Sequence, residues 1–216
     1  MGVNSFPASA GGVTGQQQAV FTSSGTWTAP TASTFNGYAE VLLVGGGAGN
    51  CSNSGTTGGS AIMRILPFVA GTGYTVTIGA GGVGNTTTGN NGTNSTLTYN
   101  GGTLTATGGK INSSTPQTQE GMGGYGTNGG VTGSNIAAPA GGAYGFGGGG
   151  GTHLAANNGA YGDGTWGGGS CNSGVIGTGA GGPGGANTGG GGGASASSSY
   201  NGGNGGSGIC IITWWQ

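Results

Sequence analysis

The sequence predicts an all-β fold, a β-sandwich that is closed by the C-terminal strand and carries a glycine-rich insertion of packed polyglycine II helices. Two observations favour strands: apolar runs of strand length recur in the first half and at the C-terminus, and no segment repeats apolar residues with a helical period. A third observation, the dominance of glycine between these parts, predicts the insertion. The expected organisation is an N-terminal tether at 1–18, a sandwich at 19–107 plus 208–216, and the insertion at 108–207.

Residues 38–44 and 73–82 give the clearest strand patterns. The run YAEVLLV at 38–44 is apolar on successive residues, so burial is expected on both of its faces. In GYTVTIGAGG at 73–82, large apolar residues alternate with threonine, which is typical of a strand with one buried face. Residues 58–69 contain a further strand that is expected to end at Pro67.

Two hairpins and one long-range pairing are expected to connect these strands. Asn100-Gly101 lies between two alternating arms and therefore predicts a tight turn. Residues 19–30, AVFTSSGTWTAP, predict a second hairpin around a Ser-Ser-Gly turn. The apolar run at 208–216 is expected to pair with the N-terminal sheet, because so apolar a segment is rarely left exposed on a monomer.

Glycine supplies 63 of the 216 residues and recurs every third residue in the insertion, for example at 142, 145, 148 and 151. Three residues per turn is the period of the polyproline-II-type helix, whose backbone groups point outwards and need water or a neighbouring chain as partners. Each ordered glycine costs about 0.5–1 kcal/mol more than alanine. A net backbone hydrogen bond returns only about 1 kcal/mol. Nearly every backbone group must therefore be paired, which favours a lattice of helices over the alternative, a disordered glycine linker.

The near absence of charge excludes several classes of partner. The chain has only two Lys or Arg and three Asp or Glu, too few basic residues to neutralise the phosphates of a nucleic acid. No apolar run approaches the roughly 20 residues of a membrane-spanning helix. The first residues lack the basic and apolar regions of a secretory signal peptide. We therefore expect no nucleic acid, no membrane insertion and no signal peptide.

Catalytic and cofactor motifs are also poorly represented. Gly45 and Gly47 fit the first two positions of the dinucleotide-binding G-x-G-x-x-G turn, but Asn50 stands at the third and no helical pattern follows. His153 and Asp163 are the only neighbouring acid–base pair; a hydrolase triad would also need a nucleophile held rigidly beside them, and Ser170 and Cys171, which are near in sequence, are only a weak signal for one. No cysteine or histidine cluster has the spacing of a zinc site. The sequence predicts no enzyme activity, no cofactor and no metal.

The cysteines leave one question open. Cys51, Cys171 and Cys210 are too few and too scattered for a disulfide framework. A single bridge between Cys51 and Cys171 and free buried thiols are both compatible with the sequence.

The order of several phrases resembles the glycine-rich domains of bacteriophage tail fibres and tail-fibre adhesins. VFTSSGTWTAP is followed by a strand into GGGAG, then by YTVTIGAGGVGN, and finally by GGNGGSGICIITWW. The resemblance covers about residues 19–215, and the order and spacing of the phrases are more specific than any single phrase. In the related adhesins of T-even-like phages, a polyglycine II sandwich displays variable loops at its tip.

This resemblance implies a virion protein of the tail or of a surface appendage that binds a host surface protein or glycan. It also implies attachment to other fibre or tail proteins through the N-terminal tether, and it leaves open a homotrimer. Two other functions stay open: a purely structural virion or filament subunit, and an ice-binding protein, because glycine-rich antifreeze proteins also use polyglycine II bundles.

The contact surface is expected in the loop at 152–166, THLAANNGAYGDGTW, which interrupts the glycine register. A break in a helix lattice is a place where a loop must leave it, and exposed aromatic and polar groups on a rigid scaffold are typical of recognition loops. Residues 117–126 form a competing loop. The candidate receptor-binding residues are Tyr161, Trp166, His153 and Asp163 in the first loop, with Tyr125 and Tyr144 outside it.

Overall fold

The computed structural model describes residues 15–33, 35–51, 56–111, 146–147, 179–195 and 199–215. The regular elements in these ranges are all β-strands, which confirms the predicted all-β class for this part of the chain. No helix in the described ranges is long and apolar enough to cross a membrane. The strands are β1 (Gln16–Phe21), β2 (Gly25–Thr28), β3 (Tyr38–Val44), β4 (Ala61–Pro67), β5 (Gly73–Thr77), β6 (Ser95–Tyr99), β7 (Gly102–Ala106) and β8 (Ile209–Trp215).

The strands form two antiparallel sheets of four strands each. Sheet A has the order β1-β8-β3-β4, and sheet B has the order β2-β5-β6-β7. The last strand of the chain, β8, lies between β1 and β3, with Ile212 opposite Ala19 on one side and Val41 on the other. The predicted pairing of the C-terminal run with the N-terminal sheet is therefore confirmed. Because β1 begins at Gln16, the last three residues of the predicted tether belong to this sheet.

The two predicted hairpins have opposite outcomes. β6 and β7 form the hairpin expected at Asn100-Gly101, and Gly101 has a φ of 133°. The hairpin predicted at 19–30 is wrong, because β1 belongs to sheet A and β2 to sheet B. The connection crosses between the sheets because Phe21 and Trp27 pack into the same core from opposite sides. The Ser24 hydroxyl, in this connection, accepts a hydrogen bond of 3.0 Å from the Ile78 amide.

Trp27 stands at the centre of the core shared by the two sheets. Its ring packs edge-on against Phe68, with ring centroids 4.8 Å apart, and it contacts Trp214 of β8 at 5.6 Å. The core therefore links β2 of one sheet to β8 of the other. The remaining buried members of the cluster are Ala29, Phe35, Ala39, Val41, Leu43, Ile62, Leu66, Phe68, Tyr74, Val76, Leu97, Ala106, Cys210 and Ile212.

β3 is buried on both faces, as the sequence predicts. Val41 and Leu43 face the shared core, whereas Leu42 and Val44 face a second apolar cluster on the outer side of sheet A. Phe146, from the glycine-rich region, packs against this second cluster. A continuous apolar sequence is therefore required here, because both faces of the strand are covered.

The ends of β3, β5 and β7 and the starts of β4, β6 and β8 all lie at one end of the two sheets. The β3–β4 pairing places Val44 opposite Ala61, and the β6–β7 pairing places Ser95 opposite Ala106. The Ser95 hydroxyl donates to the Val44 carbonyl at 2.6 Å and so connects these two ends. At the opposite end of the sheets, β1 begins and β8 ends, with Gln16 opposite Trp215.

Candidate functional site

Eight short segments extend beyond the sheets and bond to one another through their backbones. We call this group the glycine array. Five segments come from residues before 112 and three from residues after 178, so the array draws on both sides of residue 108, where the sequence predicts a boundary. The segments are 45–50, 56–60, 78–85, 89–94, 107–111, 179–185, 189–195 and 201–208.

The segment at 45–50 is the centre of the array. Its N–H groups donate in rotation to three neighbours, and every third residue returns to the same neighbour. Successive N–H groups would change direction in this way in a backbone with three residues per turn. The donor and acceptor pairs, with N to O distances, are Gly45 to Ser60 at 2.9 Å, Gly46 to Thr93 at 3.0 Å, Gly47 to Gly206 at 2.9 Å, Ala48 to Thr57 at 3.2 Å, Gly49 to Asn90 at 2.8 Å and Asn50 to Gly203 at 2.9 Å.

Three further segments donate to the carbonyls of the central segment, from Gly109 to Gly46, from Gly82 to Gly47 and from Gly192 to Ala48. The central segment therefore has six neighbours. Consecutive neighbours also bond to each other, so the six close into a ring around it. The bonds that close the ring run from Thr57 to Lys110, Gly92 to Gly109, Thr93 to Ala80, Gly205 to Gly82, Gly206 to Gly190 and Gly59 to Gly189.

The close approach of these backbones explains why the central positions are glycine. A Cβ atom at Gly46 would overlap the carbonyl of Ala80, and one at Gly47 would overlap the carbonyl of Gly190. These obstacles are backbone atoms that are themselves hydrogen-bonded, so they cannot move aside as the end of a flexible side chain could. The central segment therefore excludes a side chain at these two positions.

The glycine content of a segment follows its degree of enclosure. In the segment at 189–195, five successive glycines are all buried. In the segment at 201–208, the exposed Asn201 and Asn204 alternate with pairs of glycines that face neighbours. In the segment at 89–94, only Gly89 and Gly92 are buried, and the four other residues are exposed. A period-three glycine pattern therefore indicates which sides of a segment are covered by neighbouring segments.

Buried hydroxyl and amide side chains complete the hydrogen bonding where the array joins the sheets and near its far end. Ser95 accepts from the Gly79 amide at 2.8 Å while it donates to Val44. The fully buried Asn50 donates to the Gly192 carbonyl at 3.0 Å, and the Thr56 hydroxyl donates to the same carbonyl at 2.9 Å. The array is thus stabilised by neutral polar groups.

The end of the array farthest from the sheets, which we call the array tip, consists of residues 85–91 and 199–201. Thr87 and Thr88 are exposed in the first loop, and Asn90 and Asn91 are exposed where the chain turns back. Tyr200 is 36% exposed in the second. The tip therefore presents hydroxyl groups, amides and one aromatic ring, which can form neutral hydrogen bonds and stacking contacts.

The predicted contact residues cannot be compared with this geometry, because they lie outside the described residues. The same is true of Cys171, whereas Cys51 is buried near the array tip. Residues 85–91 were not among the contact residues predicted from the sequence. Their signal was present as the polar run NTTTGNN between two strand patterns. The residues outside the described ranges are Tyr161, Trp166, His153, Asp163, Tyr125 and Tyr144.

The central segment at 45–50 has no free backbone N–H group to donate to a phosphate. A dinucleotide-binding turn uses free backbone N–H groups at the start of a helix. Here all six N–H groups from Gly45 to Asn50 donate to neighbouring segments. Among the described residues, no three His, Cys, Asp or Glu side chains lie close enough together to hold a metal ion.

Comparison with known proteins identifies the family. A family model described as a glycine-rich domain matches residues 9–215, almost the whole chain, so the chain belongs to that family. No curated protein matches it.

Proposed function

We propose that this member of the glycine-rich domain family is a bacteriophage tail-fibre or virion-surface adhesin that binds the host cell surface. The observation that supports the proposal is that the two ends of the sheets carry different parts of the chain. The chain enters β1 and leaves β8 at one end of the sheets, whereas the array extends from the other. A chain attached to a particle through the residues before β1 would point the array tip away from that particle.

We further infer that the sheets form a β-sandwich and that the array is a polyglycine II lattice that continues into the insertion at 108–207. The period-three bonding of the central segment supports the lattice, and the shared core of the two sheets supports the sandwich. Backbone of this type rises about 3.1 Å per residue, so the eight residues at 78–85 would hold the tip roughly 20 Å beyond the sheets. Because its segments bond on several sides, such a rod keeps its loops at fixed positions.

The chemistry of the array tip suits a neutral contact. Thr87, Asn90 and Tyr200 can bond to the hydroxyl groups of a glycan or to the backbone of a host surface protein, and Tyr200 can stack on either. Candidate contacts therefore include the tip as well as the predicted loop at 152–166. Attachment to other virion proteins through the N-terminal residues remains part of the proposal.

Competition for adsorption tests this function. Virions of the phage that encodes the chain should contain it, as detected by mass spectrometry of purified particles. The purified chain should then slow adsorption of those virions to their host. Absence from the particle would refute the virion assignment. Presence without any effect on adsorption would favour a purely structural subunit.

Three variants locate the contact. Tyr200→Ala alters the array tip, Tyr161→Ala with Trp166→Ala alters the predicted loop, and Val83→Ala alters an exposed side chain on the flank of the array as a control. A contact that relies on one of these rings should lose about 2 kcal/mol of binding, or roughly thirtyfold in competition, when that ring is removed. Thermal unfolding of each variant verifies that the fold is retained.

The outer face of sheet B favours a second candidate function, ice binding. Each of its strands contains a Thr-x-Thr sequence, and Thr77 lies opposite Thr96, which lies opposite Thr105. Sheet geometry spaces such side chains about 4.8 Å between strands and about 6.8 Å along them. Regular rows of hydroxyl and methyl groups can order water into a lattice. The threonines of this face are Thr26, Thr28, Thr75, Thr77, Thr96, Thr98, Thr103 and Thr105.

A thermal hysteresis measurement decides this second candidate. The wild-type chain should lower the freezing point below the melting point, and Thr77→Lys with Thr105→Lys should abolish the gap because a bulky charge interrupts the row. Thr87→Lys at the array tip is the matched control. If the wild-type chain produces no hysteresis, sheet B is an ordinary solvent-facing sheet.

A further inference from the structure

Two large aromatic side chains are exposed on the outer face of sheet A, one on β3 and one on the neighbouring strand β8. β3 and β8 are neighbours, and Glu40 lies opposite Thr213. Tyr38 and Trp215 each lie two residues beyond this last pair on their strands, and therefore on the same face of the sheet. Tyr38 is 55% exposed and Trp215 is 44% exposed. Both side chains are therefore open to solvent at the end of the sheet away from the array.

These two rings have no role in the shared core. Trp214, the neighbour of Trp215, turns inwards to Trp27, and Trp27 itself is only 4% exposed. Each outward ring leaves on the order of 100 Å² of aromatic surface in water, about half of its total area. Among the described residues, whose exposed side chains are mostly small and polar, this pair is a feature that packing does not explain.

Polar groups lie beside the rings in the next row of the same face. The row contains Gln18 of β1, Thr213 of β8 and Glu40 of β3. The Gln18 amide donates to the Thr213 hydroxyl at 3.5 Å, and Glu40 is partly exposed. Gln16 is exposed beside Trp215. The site thus combines two ring faces with amide and carboxylate groups.

This combination fits a sugar better than it fits a protein. A sugar presents a C–H face that can stack on an aromatic ring and a rim of hydroxyl groups that can bond to amides and carboxylates. A stable protein interface needs about 800 Å² from each partner. The four exposed apolar side chains of this face supply roughly half of that area at about 100 Å² each. They are Val20, Tyr38, Ile65 and Trp215.

We propose that the outer face of sheet A binds a saccharide chain. Trp215 and Tyr38 stack against the faces of one or two sugar rings, and Glu40, Gln18 and Gln16 bond to their hydroxyl groups. The site is separate from the array tip, so it does not depend on the contact proposed there or on the assignment to a virion.

Isothermal titration calorimetry with the full chain tests the site. The probes are four linear oligosaccharides, chitohexaose, cellohexaose, maltohexaose and xylohexaose, each added in the millimolar range. At least one should bind. Trp215→Ala and Tyr38→Ala should each weaken that binding about tenfold or more, since stacked aromatic anchors dominate such contacts. Trp215→Phe and Tyr38→Phe should retain most of the affinity because they retain a ring.

Two controls make the result specific. Ile65→Ala removes an even more exposed apolar side chain, 68% exposed, from the same face and should leave the affinity unchanged. Val83→Ala, which removes an exposed apolar side chain from the flank of the array, should also leave it unchanged. If none of the four oligosaccharides binds, or if Ile65→Ala weakens binding as much as Trp215→Ala, the proposal is wrong.

Light scattering identifies the main competing occupant, a second copy of the chain. The saccharide proposal expects that Trp215→Ala does not change the molar mass in solution. A wild-type dimer that becomes a monomer in Trp215→Ala, without oligosaccharide binding, would overturn the proposal and assign the face to self-association.

Discussion

Replacement of Gly47 by alanine is the sharpest test of the glycine array. A Cβ at this position would overlap the backbone of Gly189 and Gly190, so the segment at 189–195 would have to move away from the centre. That movement would break or weaken the bonds from Gly192 to Ala48, Gly59 to Gly189 and Gly206 to Gly190, which are 2.7 or 2.8 Å long.

The expected loss can be estimated from these contacts. Three backbone hydrogen bonds at about 1 kcal/mol net contribute roughly 3 kcal/mol. Overpacking adds about 1–3 kcal/mol. Alanine also lowers the conformational entropy of the unfolded chain, which stabilises the folded state by about 0.4–1 kcal/mol. We therefore expect Gly47→Ala to lower the free energy of unfolding by about 3–5 kcal/mol. In a disordered glycine linker the same change would leave the stability unaltered.

Urea denaturation measures this difference. Gly25→Ala is the matched control, because its Cβ would lie 3.6 Å from the Phe21 ring, an ordinary contact. The control should change the free energy of unfolding by less than about 1 kcal/mol. A lower midpoint with an unchanged slope would show that Gly47→Ala affects stability alone. If Gly47→Ala and Gly25→Ala unfold at the same urea concentration, the reasoning about the array is wrong.

Three further predictions concern the sheets and their junction with the array. Ser95→Ala should lower the free energy of unfolding by about 2–4 kcal/mol in urea titration, because it leaves the Val44 carbonyl and the Gly79 amide without their partner; Thr87→Ala at the array tip should have almost no effect. Deletion of residues 209–216 should abolish soluble expression, because β8 pairs with both β1 and β3; a monomeric, folded truncation would contradict the topology. Burial raises the pKa of the Cys210 thiol from 9.0 to about 12, so its contribution to stability is complete below pH 9 and is lost as the pH rises towards 12. Between pH 8 and pH 10 the wild-type chain should therefore lose about 1.4 kcal/mol more than Cys210→Ala, and equal losses in the two proteins would contradict this.

The sequence by itself determined the strands and the need for glycine. The alternation at 73–82 and the continuous apolar run at 38–44 correspond to β5 and β3, because one-sided and two-sided burial leave different patterns along a single strand. The Asn100-Gly101 turn was predictable because its requirement for positive φ is local. The apolar character of β8 also indicated that it must pair with another strand.

Only the tertiary structure decided which segments meet. Residues 19–30 satisfy a local hairpin pattern, yet Phe21 and Trp27 belong to two different sheets that share one core. A core shared by distant strands cannot be recognised from a local sequence pattern. The candidate sites depend on the same long-range placement. Trp215 and Tyr38 lie on one face of adjacent strands only because the last strand inserts beside β3. Likewise, the period of three indicated that glycine backbones pair. It did not indicate which segments pair, because all backbone N–H groups are chemically alike. Asn50 therefore reaches Gly192, which is 142 residues away, because the segment at 189–195 packs beside the central segment.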